Sequence, residues 1–93
     1  MKRSNSDIAA WLESLPRADG RQSILAFVKQ KTLEAFAAKD TSLLPSARDI
    51  AAGAGQAGST ARQYLLELCG DGVLDRIRHG AGFRYHVTAD WLG

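Results

Sequence analysis

The 93 residues contain one cysteine and two histidines. A lone thiol forms no disulfide within the chain, and so few histidines exclude the spaced ligand clusters of a zinc site. Cys69 sits among Leu65, Leu66 and Leu68, which marks it as a small apolar group rather than a reactive thiol. No nucleophile, base and metal set can be assembled from the remaining residues, so no enzyme, catalytic residue, metal or cofactor is expected. Long apolar runs are lacking too. No stretch approaches the roughly 18 residues of a membrane span. The polar start Met1-Lys2-Arg3-Ser4-Asn5-Ser6-Asp7 has no signal-peptide core, so the expectation is a cytoplasmic chain with no membrane partner.

Charge of one sign is also scarce, with a net value of +2. Residues 1–45 hold seven Lys/Arg against five acids, whereas residues 46–93 hold five arginines (Arg48, Arg62, Arg76, Arg78, Arg84) against five acids. A basic surface in the second part therefore has to come from placement, not from excess. An apolar content of 45% and a charged content of 24% suit one small soluble domain.

The order of local signals gives the organisation. Ser6 is read as the cap of a short helix whose Ile8, Trp11, Leu12 and Leu15 recur at helical spacing before Pro16. This stripe is either a flap over the core or, with Trp91 and Leu92, a surface for self-association. After the turn Ala18-Asp19-Gly20, Arg21 to Lys39 lacks proline and glycine and reads as a long amphipathic helix. Its Lys29, Lys31 and Lys39 are either simply solvated or available to backbone phosphates. Residues 1–20 form a helical extension in this reading, and residues 21–93 the main domain.

Ser46 and Asp49, three apart after Pro45, have the form of a capping box, so a helix should begin at Ala47. Ser59 is read as the cap of a second helix that runs to about Cys69 and stops at Gly70-Asp71-Gly72. Between the two lies a literal G-x-G-x-x-G, Gly53, Gly55 and Gly58. A dinucleotide loop needs a strand before that pattern and a helix after it. Here a helix precedes it, so the glycines are read as an inter-helix turn. Gly53 is the oddity, costing about 1 kcal/mol relative to alanine inside a helix. Only close packing or an early helix end would account for it.

On a helical wheel, Ala61, Tyr64, Leu65 and Leu68 form the buried face of the second helix. Ser59, Thr60, Arg62, Gln63, Leu66 and Glu67 lie opposite. The hydrogen-bonding groups crowd into the first turn and a half, as in a recognition helix whose N-terminal end enters the major groove. Arg62 suits guanine and Gln63 adenine, while Ser59, Thr60 and the free N–H groups of the helix start suit phosphates. Glu67 would repel phosphate. Beyond this helix, residues 73–78 and 83–87 are rich in β-formers and flank the turn residues 79–82. Phe83, Tyr85 and Val87 alternate with Arg84 and His86, predicting one packed and one polar face. The hairpin carries Arg76, Arg78, His79 and Arg84, either merely solvated or placed against a backbone or minor groove.

The stretch Leu44-Pro45-Ser46-x-Arg48-Asp49-Ile50-Ala51, then Ser59-Thr60-Ala61-Arg62-x-x-Leu65-x-x-Leu68-x-x-Asp71-Gly72-Val73-Leu74-x-Arg76, then His79-Gly80-x-Gly82-Phe83, resembles the winged helix-turn-helix domain of GntR-type bacterial repressors. The resemblance implies a mainly α fold with a small β-hairpin. It also implies DNA contact by Arg48, Ser59, Thr60 and Arg62, and by His79 and Gly80 at the wing. Gln63, Arg78 and Arg84 join them on geometry. Gly58 stands where the family carries arginine or another polar contact residue, removing one expected side chain. With no room for the family's effector domain, no small-molecule effector is expected. The segment also resembles small regulators of fimbrial, plasmid or phage genes. The expected function is a sequence-specific, double-stranded DNA-binding regulator, dimeric and associated with the nucleoid when bound. The alternative is a winged-helix module for protein assembly, favoured by the balanced charge and by Leu66 beside Arg62.

Overall fold

Leu15 is extended (φ −70°, ψ 143°), as the residue before a proline must be, and this ends the first helix. The computed structural model describes residues 4–16 and 19–92. Ala18 of the expected turn and the Leu92 side chain lie outside the described residues. Helix α1 spans Asn5–Ser14, α2 Gly20–Ala38, α3 Ala47–Gly53 and α4 Gly58–Gly70, with a 3-10 turn at Thr41–Leu43. Strands β1 (Leu74–His79) and β2 (Gly82–Val87) follow, then the short α5, Ala89–Leu92.

The caps show where local signals held and where they did not. Ser46 and Asp49 close the expected capping box, each side chain accepting from the other's backbone N–H (3.2 and 3.1 Å). Ser4, not Ser6, caps α1, accepting from the N–H of Asp7. Ser59 does not cap α4: Ala57 is the N-cap, with no side-chain bond, and Ser59 is the second helical residue. The chain enters this helix directly from a tight bend, and no hydroxyl stands at position 57 to take the cap.

Three helices end in the same way. Lys39 (φ 54°), Gly55 (φ 67°) and Gly72 (φ 78°) adopt the left-handed conformation. The next residue's N–H then turns back, Asp40 to the Ala35 carbonyl (3.0 Å), Gln56 to Ala51 (2.8 Å) and Val73 to Leu68 (3.0 Å). These are Schellman closures, which satisfy helix-end carbonyls that would otherwise be orphaned. Gly55 is therefore required by the bend between α3 and α4. Gly53 has a different reason. A Cβ built there would overlap the Phe27 ring of α2, so the glycine permits close approach of α2 and α3. Gly58 meets no neighbour and has ordinary helical backbone.

One core joins the elements: Ile8 and Leu12 of α1, Ile24 and Val28 of α2, Ile50 of α3, Leu65 and Leu68 of α4, and Leu74 and Val87 of the hairpin. Trp11, Leu15 and Trp91 are half-buried against it, so within the chain the α1 stripe serves as a flap over the core. Cys69 is half-buried, and burial pushes its thiol pKa up, in keeping with an apolar role.

The hairpin pairs Leu74 with Val87, Arg76 with Tyr85, Arg78 with Phe83, and His79 with Gly82. Directly paired residues share a face. The expected packed face is thus buried at its base, where Leu74 meets Val87, and half-buried against the core at Tyr85. Towards the tip the same face carries Arg76 and Arg78, and Phe83 is 40% exposed under the Arg76 guanidinium, 4.3 Å from its ring centre. The outer edge of β2 is tied to the helices. Tyr85 N–H donates to the Pro45 carbonyl (2.9 Å), and Val87 N–H donates to the Thr32 hydroxyl (3.0 Å). Thr32 is fully buried and donates its own proton to the Val28 carbonyl (2.7 Å).

Thr32→Val keeps the side-chain shape but strands the buried Val87 N–H. It is expected to cost about 1–3 kcal/mol of stability, read as a lowered urea midpoint. An unchanged midpoint would contradict the role given to this hydroxyl.

Candidate nucleic-acid interface

Ala61, Leu65 and Leu68 of α4 point into the core, which turns Ser59, Arg62, Gln63 and Leu66 to solvent. Thr60 is only partly exposed. Among the described residues, the side chains of Arg62 and Gln63 enter no hydrogen bond or ion pair within the chain. The first N–H groups of α4 have no capping side chain, so they too face outward with unused donor capacity.

Arg48, the second residue of α3, is exposed. It and Arg62 flank a cleft of about 360 Å³ whose remaining lining is Ala47, Ala51, Ala52 and Gly58. The small residues between the two arginines keep the cleft open, and Gly58, the position where a side chain was missed by resemblance, is part of its wall. The structure thus brings together Arg48 and Arg62, which lie apart in the sequence.

The wing residues divide. Arg78, His79 and Gly80 are exposed at the end of the hairpin, where Gly80 (φ 62°) and Ala81 make the two-residue connection. A positive φ at the first position only is the sign pattern of a type II′ turn. Arg84 lies on the opposite face from Arg76 and Arg78. Its guanidinium donates to the Leu44 carbonyl (3.0 Å) and to Asp49 Oδ2 (3.4 Å), so it braces the hairpin against α3 instead of extending the exposed tip. The Asp49 carboxyl is held below its usual pKa chiefly by the Ser46 backbone N–H, with the Ser46 hydroxyl and the Arg84 and Arg48 charges adding to it.

Sequence reasoning missed Arg21. Its side chain is 21% exposed and lies between two rings, 4.9 Å from the centre of Trp11 and 5.2 Å from that of Tyr64. It pairs with Asp19 (2.9 Å) and, across the fold, with Glu67 (3.0 Å). One guanidinium therefore joins α1, the start of α2 and α4. Glu67, expected to repel phosphate, is partly neutralised by this pair. The only sequence sign of the arrangement was local: Asp19 is the cap of α2, accepting from the Arg21 N–H.

No family model matches the chain, and no curated protein matches it by sequence. Among solved structures, a solution NMR structure from Mycobacterium bovis is similar, with a TM-score of 0.58 and 23% identity over 97% of this chain and 77% of that one. That protein is the homodimeric winged helix-turn-helix DNA-binding domain of a possible ArsR-family transcriptional regulator. The fold is a winged helix-turn-helix. In its terms α3 and α4 are the two helices of the motif and the β1–β2 hairpin is the wing.

The Arg21 side chain, first by its hydrogen bond, holds the Asp19 carboxyl below the ordinary carboxylate range. A depressed folded-state pKa means that the ionised form favours folding. Its contribution is complete above the unfolded value of about 3.9 and is lost as pH falls through the lower folded value. Stability of the native chain should therefore fall on acidification below about pH 4. Asp19→Asn should be less stable at neutral pH and flatter in that acid range, as measured by denaturant melts across pH. Parallel curves would refute the assignment.

Proposed function

We propose that this chain is a sequence-specific, double-stranded DNA-binding regulator of transcription. In this reading α4 enters the major groove and the wing lies on the backbone or in the minor groove. The observation that carries it is the outward face of α4, where Arg62 and Gln63 have no partner among the described residues and Arg48 adds a second guanidinium across an open cleft. A folded domain that leaves bidentate donors unspent beside an uncapped helix start has the groups that base edges and phosphates require. The likeness to a DNA-binding winged-helix domain supports the reading at the level of the fold. The "LPSxR" and "TxR" segments favour a GntR-type arrangement within the winged-helix class.

A second reading, a module for protein assembly, draws on the exposure of Leu66 (71%) and Phe83. Binding to genomic DNA fragments at several salt concentrations separates the two. DNA binding should weaken with a slope of about −0.9 in log-log form per phosphate contact. Arg62→Ala should cost about 1–3 kcal/mol and relax sequence preference. Arg78→Ala should reduce the slope by about one with little change in preference. Binding that is absent, or insensitive to both salt and Arg62→Ala, would reject the regulator.

We further propose that the chain acts as a homodimer, which matches two helical half-sites on DNA by two-fold symmetry. The similar Mycobacterium bovis domain is homodimeric. Light scattering should give twice the 10.0 kDa chain mass. A monomeric mass across the micromolar range, with and without DNA, would remove this part of the proposal.

A further inference from the structure

Among the described residues Leu66 is the most exposed of the large apolar ones, at 71% against 40–50% for Leu33, Phe36, Leu43 and Phe83. A single exposed leucine is ordinary on a protein surface. Its position is what asks for an explanation. The buried stripe of α4 is Ala61, Leu65 and Leu68, and at 100° per residue Leu66 projects on the opposite side, between the directions of Arg62 and Gln63. One turn further on stands Gly70, which is exposed and has no side chain. The outward stripe thus runs from hydrogen-bonding groups, through one aliphatic group, to bare backbone.

We propose that Leu66 reads the 5-methyl group of a thymine in the major groove, a contact that rests on the DNA-binding reading above. Base edges in that groove display donors, acceptors and a single kind of apolar group, the thymine methyl. A leucine side chain neither donates nor accepts, so the methyl is the one base-edge group it complements. Leu66 follows Gln63 and Arg62 by three and four residues, about 4.5–6 Å along the helix axis. With about 3.4 Å between successive bases on a strand, the thymine belongs one or two base pairs from those that Arg62 and Gln63 contact. Gly70 leaves room beside it for the groove wall.

The test uses the full chain and a library of random duplex DNA. Bound sequences are selected for the native protein, for Arg62→Ala and for Leu66→Ala. The expected result is a thymine preference, one or two base pairs from the position that Arg62→Ala relaxes, which disappears with Leu66→Ala. The selected duplex is then remade with deoxyuridine at that thymine, removing only the methyl. Affinity of the native protein should fall about fourfold, the effect of withdrawing one methylene-sized contact from burial. Leu66→Ala should bind both duplexes alike. The uracil comparison needs only native protein, so it stands even if a variant folds poorly. Equal binding of both duplexes by the native protein, or a selected site without that thymine, overturns the role of Leu66 while leaving DNA recognition intact. No enriched sequence at all overturns DNA recognition and this contact with it, and would turn attention to a protein partner for the same face.

Discussion

The left-handed backbone at Gly55 is the constraint on which the rest depends. Only with φ near +67° there does the Gln56 N–H reach back to the Ala51 carbonyl, and only then does α4 leave α3 in the direction that buries Ala61, Leu65 and Leu68. Rotation of α4 by a quarter turn would drive Arg62 towards the core and expose Leu68. The direction of every candidate contact on α4 is therefore set by one residue that is itself exposed and touches nothing through a side chain. The Phe27 ring on Gly53 fixes the other end of the geometry, by setting how closely α3 lies on α2.

Much of this was legible where the physics is local. The capping box at Ser46 and Asp49 closes within one helical turn, so its two partners are adjacent in the sequence. The face of α4 follows from the helical period, and the hairpin from alternation about a glycine turn. The missed features are those whose partners lie far apart. Arg21 and Glu67 are 46 residues apart, and Thr32 and Val87 are 55 apart. No spacing rule connects such residues before the chain has folded. The bracing contacts of the hairpin's Arg84 were hidden for the same reason, since its acceptors, Leu44 and Asp49, lie 40 and 35 residues away. Ser59 shows a subtler limit. A good capping residue takes that role only if the helix starts just after it, and here the bend starts the helix two residues earlier, at Gly58.

Charge placement answers the puzzle of a balanced second half. Acids and arginines are equal in number over residues 46–93, yet they are not equally available. Asp49 is engaged by Ser46 and Arg84, and Glu67 by Arg21. Arg48, Arg62 and Arg78 remain exposed. Two of the five acids are thus engaged, while Arg48, Arg62 and Arg78 stand exposed on α3, α4 and the wing tip, a placement that a sum over residues conceals.

The bonds along the outside of β2 have one more result. A two-stranded ribbon ordinarily offers a row of open backbone donors to any extended peptide, a standing invitation to aggregation or strand exchange. Here the donors of Tyr85 and Val87 are already occupied by Pro45 and Thr32. On that flank a visiting strand finds the register taken. Whatever approaches along that flank must therefore engage side chains, so that recognition there is decided by the chemistry of residues and not by generic backbone pairing.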